Sequence, residues 1–291
     1  MRTFLNRFPF LLSFLMVMTC LSIVSANSFR GLNDPKTTVE KNGDEEEDTT
    51  NNNNDCTPDF SIPFRSQFME DEIIYEKFYS SMAQKCKRGV VLEIGGLDGY
   101  YVSNSWFFEF GLHWTAIMVE PNPAMYERMI KNRPNAINVW NAICWGDKAK
   151  FQLTDMEATA GLVDEMTDAN KNAVGNGDII EVPCAKLSDI LDQHKIHHVD
   201  VFYLDVEGSE LMVLETIDWE KVQIDILVIE MSYADLVKND NIRQHLGNLG
   251  YKTPFSMHEL CMEMSKHRVR EFEGCMPSDI FVRDDVWASI Q

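Results

Sequence analysis

Apolar and polar positions change their spacing several times along this chain, and each change marks an element. Residues 8–24 form an uncharged apolar run with no amphipathic period. From residue 56 onward, short apolar runs alternate with helically spaced stretches. Ile73, Ile74, Phe78 and Met82 repeat at helical spacing within residues 71–86. Residues 90–94 are a short apolar run closed by Gly95-Gly96, the pattern of a buried strand. Residues 103–110 read as helix and 115–119 as a second strand. Pro123 suits the first turn of a helix that runs to about residue 132. Residues 136–143 read as a third strand, 156–177 as a long loop or flap, and 179–186 as strand. A helix over 187–193 follows, with Ser188 as its cap. Residues 199–204 and 224–229 are strongly apolar strands, followed by helices over 209–217 and 233–249. Residues 251–257 and 280–282 read as the last strands. This order predicts an α/β fold, a mostly parallel central sheet with helices on both faces.

The N-terminal run follows Arg2 and Arg7 and ends at Val24-Ser25-Ala26, the three parts of a secretory signal in order. Residues 1–26 are therefore expected to be a signal peptide cleaved near Ala26. A type II signal anchor, with Arg2 and Arg7 cytosolic, is the alternative. Either sends the remainder to the secretory lumen or beyond, and the membrane is touched only through an uncleaved anchor. Residues 27–55, with GDEEED and four consecutive asparagines, have almost no large apolar side chains and read as a solvated tether. Residues 56–88 form a helical lead-in and 89–291 the main domain.

Composition narrows the function. Hydrophobic residues are 45% of the 291, enough for a sizeable core. The 46 acidic and 26 basic residues give a formal charge of −20, which opposes nucleic-acid binding through a basic face. Beyond the leader lie Cys56, Cys86, Cys144, Cys184, Cys261 and Cys275. An even number in an oxidising compartment favours disulfides without choosing the pairing, although Cys261 and Cys275 are close enough in sequence to staple one loop. There is no C-x-x-C and the histidines are scattered, so no metal site is expected. No N-x-S/T sequon occurs.

Ligands of such sheets sit beyond the carboxyl ends of the strands. There the chain carries glycines and acids: Gly95 to Gly99, Glu120, Asn141 and Ala142, Asp205 to Gly208, and Glu230. A dinucleotide fingerprint fails, because Leu97 and Tyr100 occupy its second and third glycine positions, and no Gly-Lys-Ser/Thr supports a phosphate loop. A glycine turn after the first strand and an acid at the tip of the second suit a nucleoside whose ribose hydroxyls donate to Glu120. Without phosphate-binding signatures, S-adenosylmethionine fits, its cationic end facing an acidic cluster.

The stretches VLEIGGLDGYYVSNSWFFE, TAIMVEPNPAMYERMIKNR, NAIC, VDVFYLDVEGSELMVLETIDW and ILVIEMS stand in an order and spacing that resemble the FkbM-type family of class I S-adenosylmethionine-dependent methyltransferases. SNSWFFE is similar to its animal-type branch. The resemblance covers roughly residues 89–235 and implies a Rossmann-like class I methyltransferase fold. It implies that Glu93, Gly95 and Gly99 hold the methionine end of the cofactor, that Glu120 binds the ribose, and that Asn141 or Ala142 lies beside the adenine. Asp205 and Glu207 would face the reaction centre. Many members have Asp and a G-A-N turn where this chain has Glu93 and Gly-Gly-Leu. The implied activity is O-methylation of a small hydroxyl acceptor such as a sugar, with Asp205 as base and Glu207 as orienter or second base. In the competing reading both acids cap the next helix. Among the histidines, His258 is the best placed to act as a base. The cofactor is made in the cytosol, which keeps a second class open: a catalytically inactive methyltransferase-like luminal or secreted protein that binds a partner or cargo.

Overall fold

A computed structural model describes residues 57–83, 88–155, 157–166, 177–231, 235–256, 259–260, 262 and 278–290. All fall in the compact unit Asn54–Gln291. The expected leader and tether, His258, and the Cys261 and Cys275 pair lie outside the described residues.

The lead-in is α1 (Glu70–Ile74), a π-helical segment (Tyr75–Tyr79) and α2 (Ser80–Ala83). Then follow β1 (Val90–Ile94), α3 (Trp106–Phe110), β2 (Thr115–Val119), α4 (Pro123–Asn132), β3 (Ile137–Val139), β4 (Ala142–Ile143), β5 (Lys148–Gln152), β6 (Gly161–Leu162) and β7 (Ile179–Ala185). The chain continues with α5 (Leu187–Gln193), β8 (His198–Leu204), α6 (Glu210–Glu215), β9 (Gln223–Glu230), α7 (Leu236–Asn248), β10 (Tyr251–Lys252), β11 (Ser278–Arg283) and α8 (Asp284–Ile290).

The main sheet has the order β10-β11-β9-β8-β1-β2-β3. β1 pairs in parallel with both β2 and β8, and β8 with β9, whereas β11 runs antiparallel to β9. The chain winds from β1 toward β3, then returns to the other side of β1 at β8. That reversal is the switch point where such sheets hold ligands. The central strands are buried on both faces, which is why they read as uninterrupted apolar runs. Leu92, Ile117, Phe202 and Leu227 pack under α5, α6 and α7. Val91, Ala116, Val201 and Ile226 face the opposite way, against the lead-in and α3. Ile73, Ile74, Phe78 and Tyr79 thus belong to this second core.

α4 begins where the sequence predicts. Asn122 is its N-cap, accepting from the N–H groups of Ala124 (3.0 Å) and Met125 (3.4 Å), with Pro123 behind it. Other boundaries differ for identifiable reasons. The strand expected over 136–143 is two strands. β3 closes the main sheet, while β4 pairs with β7 in a smaller sheet of order β4-β7-β5-β6. The break falls at Trp140, whose indole N–H donates to the Pro121 carbonyl (2.9 Å). β5 escapes the hydrophobic pattern because KAKFQ fully buries only Phe151. The segment expected to be a loop contains a 3-10 turn (Glu157–Thr159) and β6; residues 167–176 are outside the described set. Ser188 does not cap α5. Lys186 holds that position, and the Ser188 hydroxyl donates to the Thr216 carbonyl (2.9 Å) while accepting from the Asp218 N–H (2.5 Å). The helix expected over 103–110 is confined to α3, because residues 103–105 serve the site described below.

Cys144 and Cys184 form a disulfide that closes 40 residues of chain, ties the exit of β4 to β7 and is buried among Ala142, Phe151 and Val182. A loop of that length contributes about 4 kcal/mol on chain-entropy grounds. No described helix is long and apolar enough to cross a membrane.

Candidate active site

The turn after β1 is built by contact. Gly95 has φ +87°, and a Cβ there would lie 1.8 Å from the Asp205 carbonyl oxygen, so the ends of β1 and β8 touch through backbone. The Asp205 N–H donates to Ile94 (3.2 Å) and the Gly95 N–H to Val119 (3.1 Å), locking the turn between its neighbours. Gly99 has φ +73° and is pressed against Arg133 and Met129. Neither position admits a side chain.

Glu93 is turned into this loop. It is 3% exposed, and its carboxylate accepts from Ser103 Oγ (2.8 Å), the Asn104 N–H (2.8 Å), the Ser105 N–H (3.1 Å) and Ser105 Oγ (2.6 Å). These contacts shape the loop beside which the methionine end of the cofactor is expected. The sequence reading missed the other half of the device. Arg133, fully buried at the end of α4, pairs with Glu109 (2.5 Å) and donates to the Gly99 carbonyl (3.0 Å), Ser103 Oγ (3.0 Å) and Ser105 Oγ (2.9 Å). The rings of Trp106 and Phe110, 4.3 Å apart, lie 5.7 and 5.6 Å from its guanidinium carbon.

Glu120, buried at the tip of β2, accepts from the N–H groups of Leu97 (2.9 Å) and Asn122 (2.8 Å). Burial pushes its carboxyl up to about 8 against those bonds. Trp140, 42% exposed, presents a ring stacked on Tyr126, one residue before half-buried Asn141 and buried Ala142. Trp140 is a further aromatic wall near the expected adenine position. Its only sequence signal was a tryptophan beside a strand end.

Across the switch point, carboxylate oxygens of Asp205, Glu207 and Glu230 lie within 4.8 Å of one another. Asp205 is solvent-exposed while Glu207 and Glu230 are half-buried. Glu207 sits at φ +56°, and the backbone of residues 161–166 packs against Glu207 and Gly208. Ser209 is the N-cap of α6 and makes no side-chain capping bond; Glu210, in the first turn, accepts from the N–H groups of Val206 (3.3 Å) and Gly208 (3.0 Å), which precede the helix. The cluster looked free of bases along the sequence, but α7 brings in Lys238, whose ammonium pairs with Glu210 and reaches the Gly208 carbonyl (3.4 Å). Surrounding protein mass raises the Asp205 carboxyl to about 6; a hydrogen bond from Glu230 opposes this, and Glu210 and Glu93 add to it. Glu230 and Glu207 are raised well above the carboxylate range, first by burial and then by Asp205.

At the opposite, amino ends of the strands, His198, Asp200 and Asp225 also converge. That cluster is committed to structure: Arg283 pairs with Asp225 (3.1 Å), and Asp200 accepts from the Val90 N–H (2.8 Å).

The raised acids make stability depend on pH. Glu70 is pushed by burial to about 7 and Asp71 to about 6, alongside Glu120 and Asp205. Between their ordinary values near 4 and these folded values, the folded chain holds protons that the unfolded chain has released. The stability these four groups contribute is then fully present below about pH 4 and is lost as pH rises toward about 8. Urea denaturation is expected to show a lower midpoint at pH 8 than at pH 5.5; a midpoint that rises across this window would contradict the reading.

Comparison with known proteins adds the following. A family model for the methyltransferase FkbM domain matches residues 93–253. Solved structures similar to this chain include fibrillarin from Aeropyrum pernix in complex with S-adenosyl-L-methionine (12% identity, 68% of this chain and 68% of that one, TM-score 0.36). They also include precorrin 8W decarboxylase from Methanobacterium thermoautotrophicum (12% identity, 77% and 94%, TM-score 0.36). A third is precorrin-6y C5,15-methyltransferase from Geobacter metallireducens (11% identity, 67% and 78%, TM-score 0.34). No curated protein matches the chain.

Proposed function

The chain belongs to the FkbM methyltransferase family, and from that premise we propose that it methylates a hydroxyl oxygen of a sugar or other small molecule, using S-adenosylmethionine, in the secretory pathway. The observation that carries this reading is Asp205. It stands at the switch point, touches the Gly95 turn through backbone, and is the one member of its carboxylate cluster that is solvent-exposed.

The donor set suits the cofactor. A nucleoside with a cationic amino-acid end finds Glu120 at the β2 tip, an exposed Trp140 ring beside Asn141 and Ala142, and an acidic cluster beyond Gly95. When bound, S-adenosylmethionine supplies an activated methyl group with a good leaving group. The protein has then to orient the acceptor and remove its proton. Glu120 holds the ribose, the Gly95 to Gly99 backbone cradles the methionine end in a shape set by Glu93 and Arg133, and Asp205 accepts the hydroxyl proton. The buried Cys144–Cys184 disulfide and the leader-like N-terminus support a secretory setting.

The test is a transfer assay with methyl-labelled S-adenosylmethionine, the full chain, and a panel of sugars, small alcohols and amine-bearing peptides. Label in a base-stable ether of a small hydroxyl compound is the expected result. Label found only on amines would overturn the acceptor class.

A further inference from the structure

Asp205 and Glu230 are forced together by register. β8 and β9 run in parallel, with Leu204 opposite Ile229, so the next residue on each strand brings two carboxyl groups side by side at the sheet edge. Their carboxylate oxygens lie within 4.8 Å of each other, with a Glu207 oxygen as close to both. Two carboxylates this near repel when both are ionised, which favours one of them keeping a proton. Among the described residues no cation forms an ion pair with either acid; the Lys238 ammonium is engaged by Glu210 and the Gly208 carbonyl. The groups facing Asp205 are Glu230, Glu207, Glu210, Glu93 and Lys238; those facing Glu230 are Asp205, Glu207 and Glu210. Exposure differs as well. Asp205 is open to solvent, which stabilises its charge, whereas Glu230 is half-buried.

We propose that Glu230 is a positioning residue: it keeps the shared proton and donates it to Asp205, leaving Asp205 the ionised, correctly turned member of the pair. The inference rests on Asp205 being the base of the proposed reaction. In that reaction the acceptor oxygen bonds to the methyl carbon as the sulfur–methyl bond breaks. The acceptor proton passes to the Asp205 oxygen not engaged by Glu230, and the sulfur leaves as a neutral thioether. Glu230 keeps its own proton throughout and fixes which oxygen of Asp205 is available.

The pairing is testable without acceptor or cofactor. Carbon-13 NMR can follow the side-chain carboxyl carbons of the purified full chain through a pH titration, in the wild type and in Glu230→Gln and Glu230→Leu. Glutamine keeps a donor toward Asp205 and leucine removes it. The wild-type Glu230 carbon is expected to remain protonated at pH 7 while Asp205 is ionised. Glu230→Gln should leave the Asp205 midpoint near the wild-type value, and Glu230→Leu should raise it by roughly one unit through loss of the donor. If Glu230 is instead ionised at pH 7, both variants will lower the Asp205 midpoint by removing a negative neighbour, and the proposal is overturned. Binding of S-adenosylhomocysteine, measured on the same samples, separates this outcome from a failure of the methyltransferase reading.

Discussion

Asp205→Asn is expected to lower methyl transfer by about 10²–10⁴-fold, the usual value of a positioned general base, while leaving S-adenosylhomocysteine affinity almost unchanged. The asparagine carbonyl can still accept from Glu230, and the side chain is isosteric, so the turn that joins β1 to β8 stays intact. The contact between β1 and β8 at that turn runs through backbone, Gly95 lying against the Asp205 carbonyl and the Asp205 N–H donating to Ile94. What the amide cannot do is take a proton from a hydroxyl. The effect should fall on kcat, and the acid limb of the pH–rate profile near 6, set by Asp205 in the wild type, should vanish. Full turnover in the variant would remove Asp205 from the chemistry and shift attention to Glu207.

Arg133→Met is expected to destabilise the protein by about 3–5 kcal/mol, because it leaves one partner of a buried ion pair unmatched. Glu109 would keep a charge under 8% exposure with no cation beside it. Gly99, Ser103 and Ser105 would each lose a donor at the loop that frames the cofactor side of the sheet. Denaturant titration gives the magnitude, and the double variant Arg133→Met/Glu109→Gln should recover part of the loss by removing the stranded charge. A loss under about 1 kcal/mol would mean that the loop does not depend on this network.

These two residues also mark how far the sequence could be read. Strands buried on both faces announce themselves as unbroken apolar runs, so β1, β2, β8 and β9 were legible, and the Asn122-Pro123 pair fixed the start of α4. The acids at the strand ends followed from the same reading, since a strand's tip is defined once its apolar run ends. Arg133 was not legible. Its partners Gly99, Ser103, Ser105 and Glu109 lie 24–34 residues away, and nothing local sets it apart from a surface arginine before a proline. β5 was missed because one fully buried side chain in five gives no period. The nearness of Glu230 to Asp205 depends on strand order and register, which the apolar pattern alone does not fix. The same limit hides the contacts of Glu210, whose carboxylate accepts from the Val206 and Gly208 N–H groups within the turn after β8.

The central claim is that the strand ends form a working cofactor pocket. Titration calorimetry of the full chain, disulfides intact, against S-adenosylhomocysteine tests it most directly, with Glu120→Ala beside the wild type. Glu120 is expected to hold the ribose and already fixes the Leu97 and Asn122 N–H groups. Micromolar binding by the wild type, lost in Glu120→Ala, is the expected result. A folded, monodisperse wild-type chain that binds no S-adenosylhomocysteine would contradict it and make a non-catalytic, partner-binding role the better account.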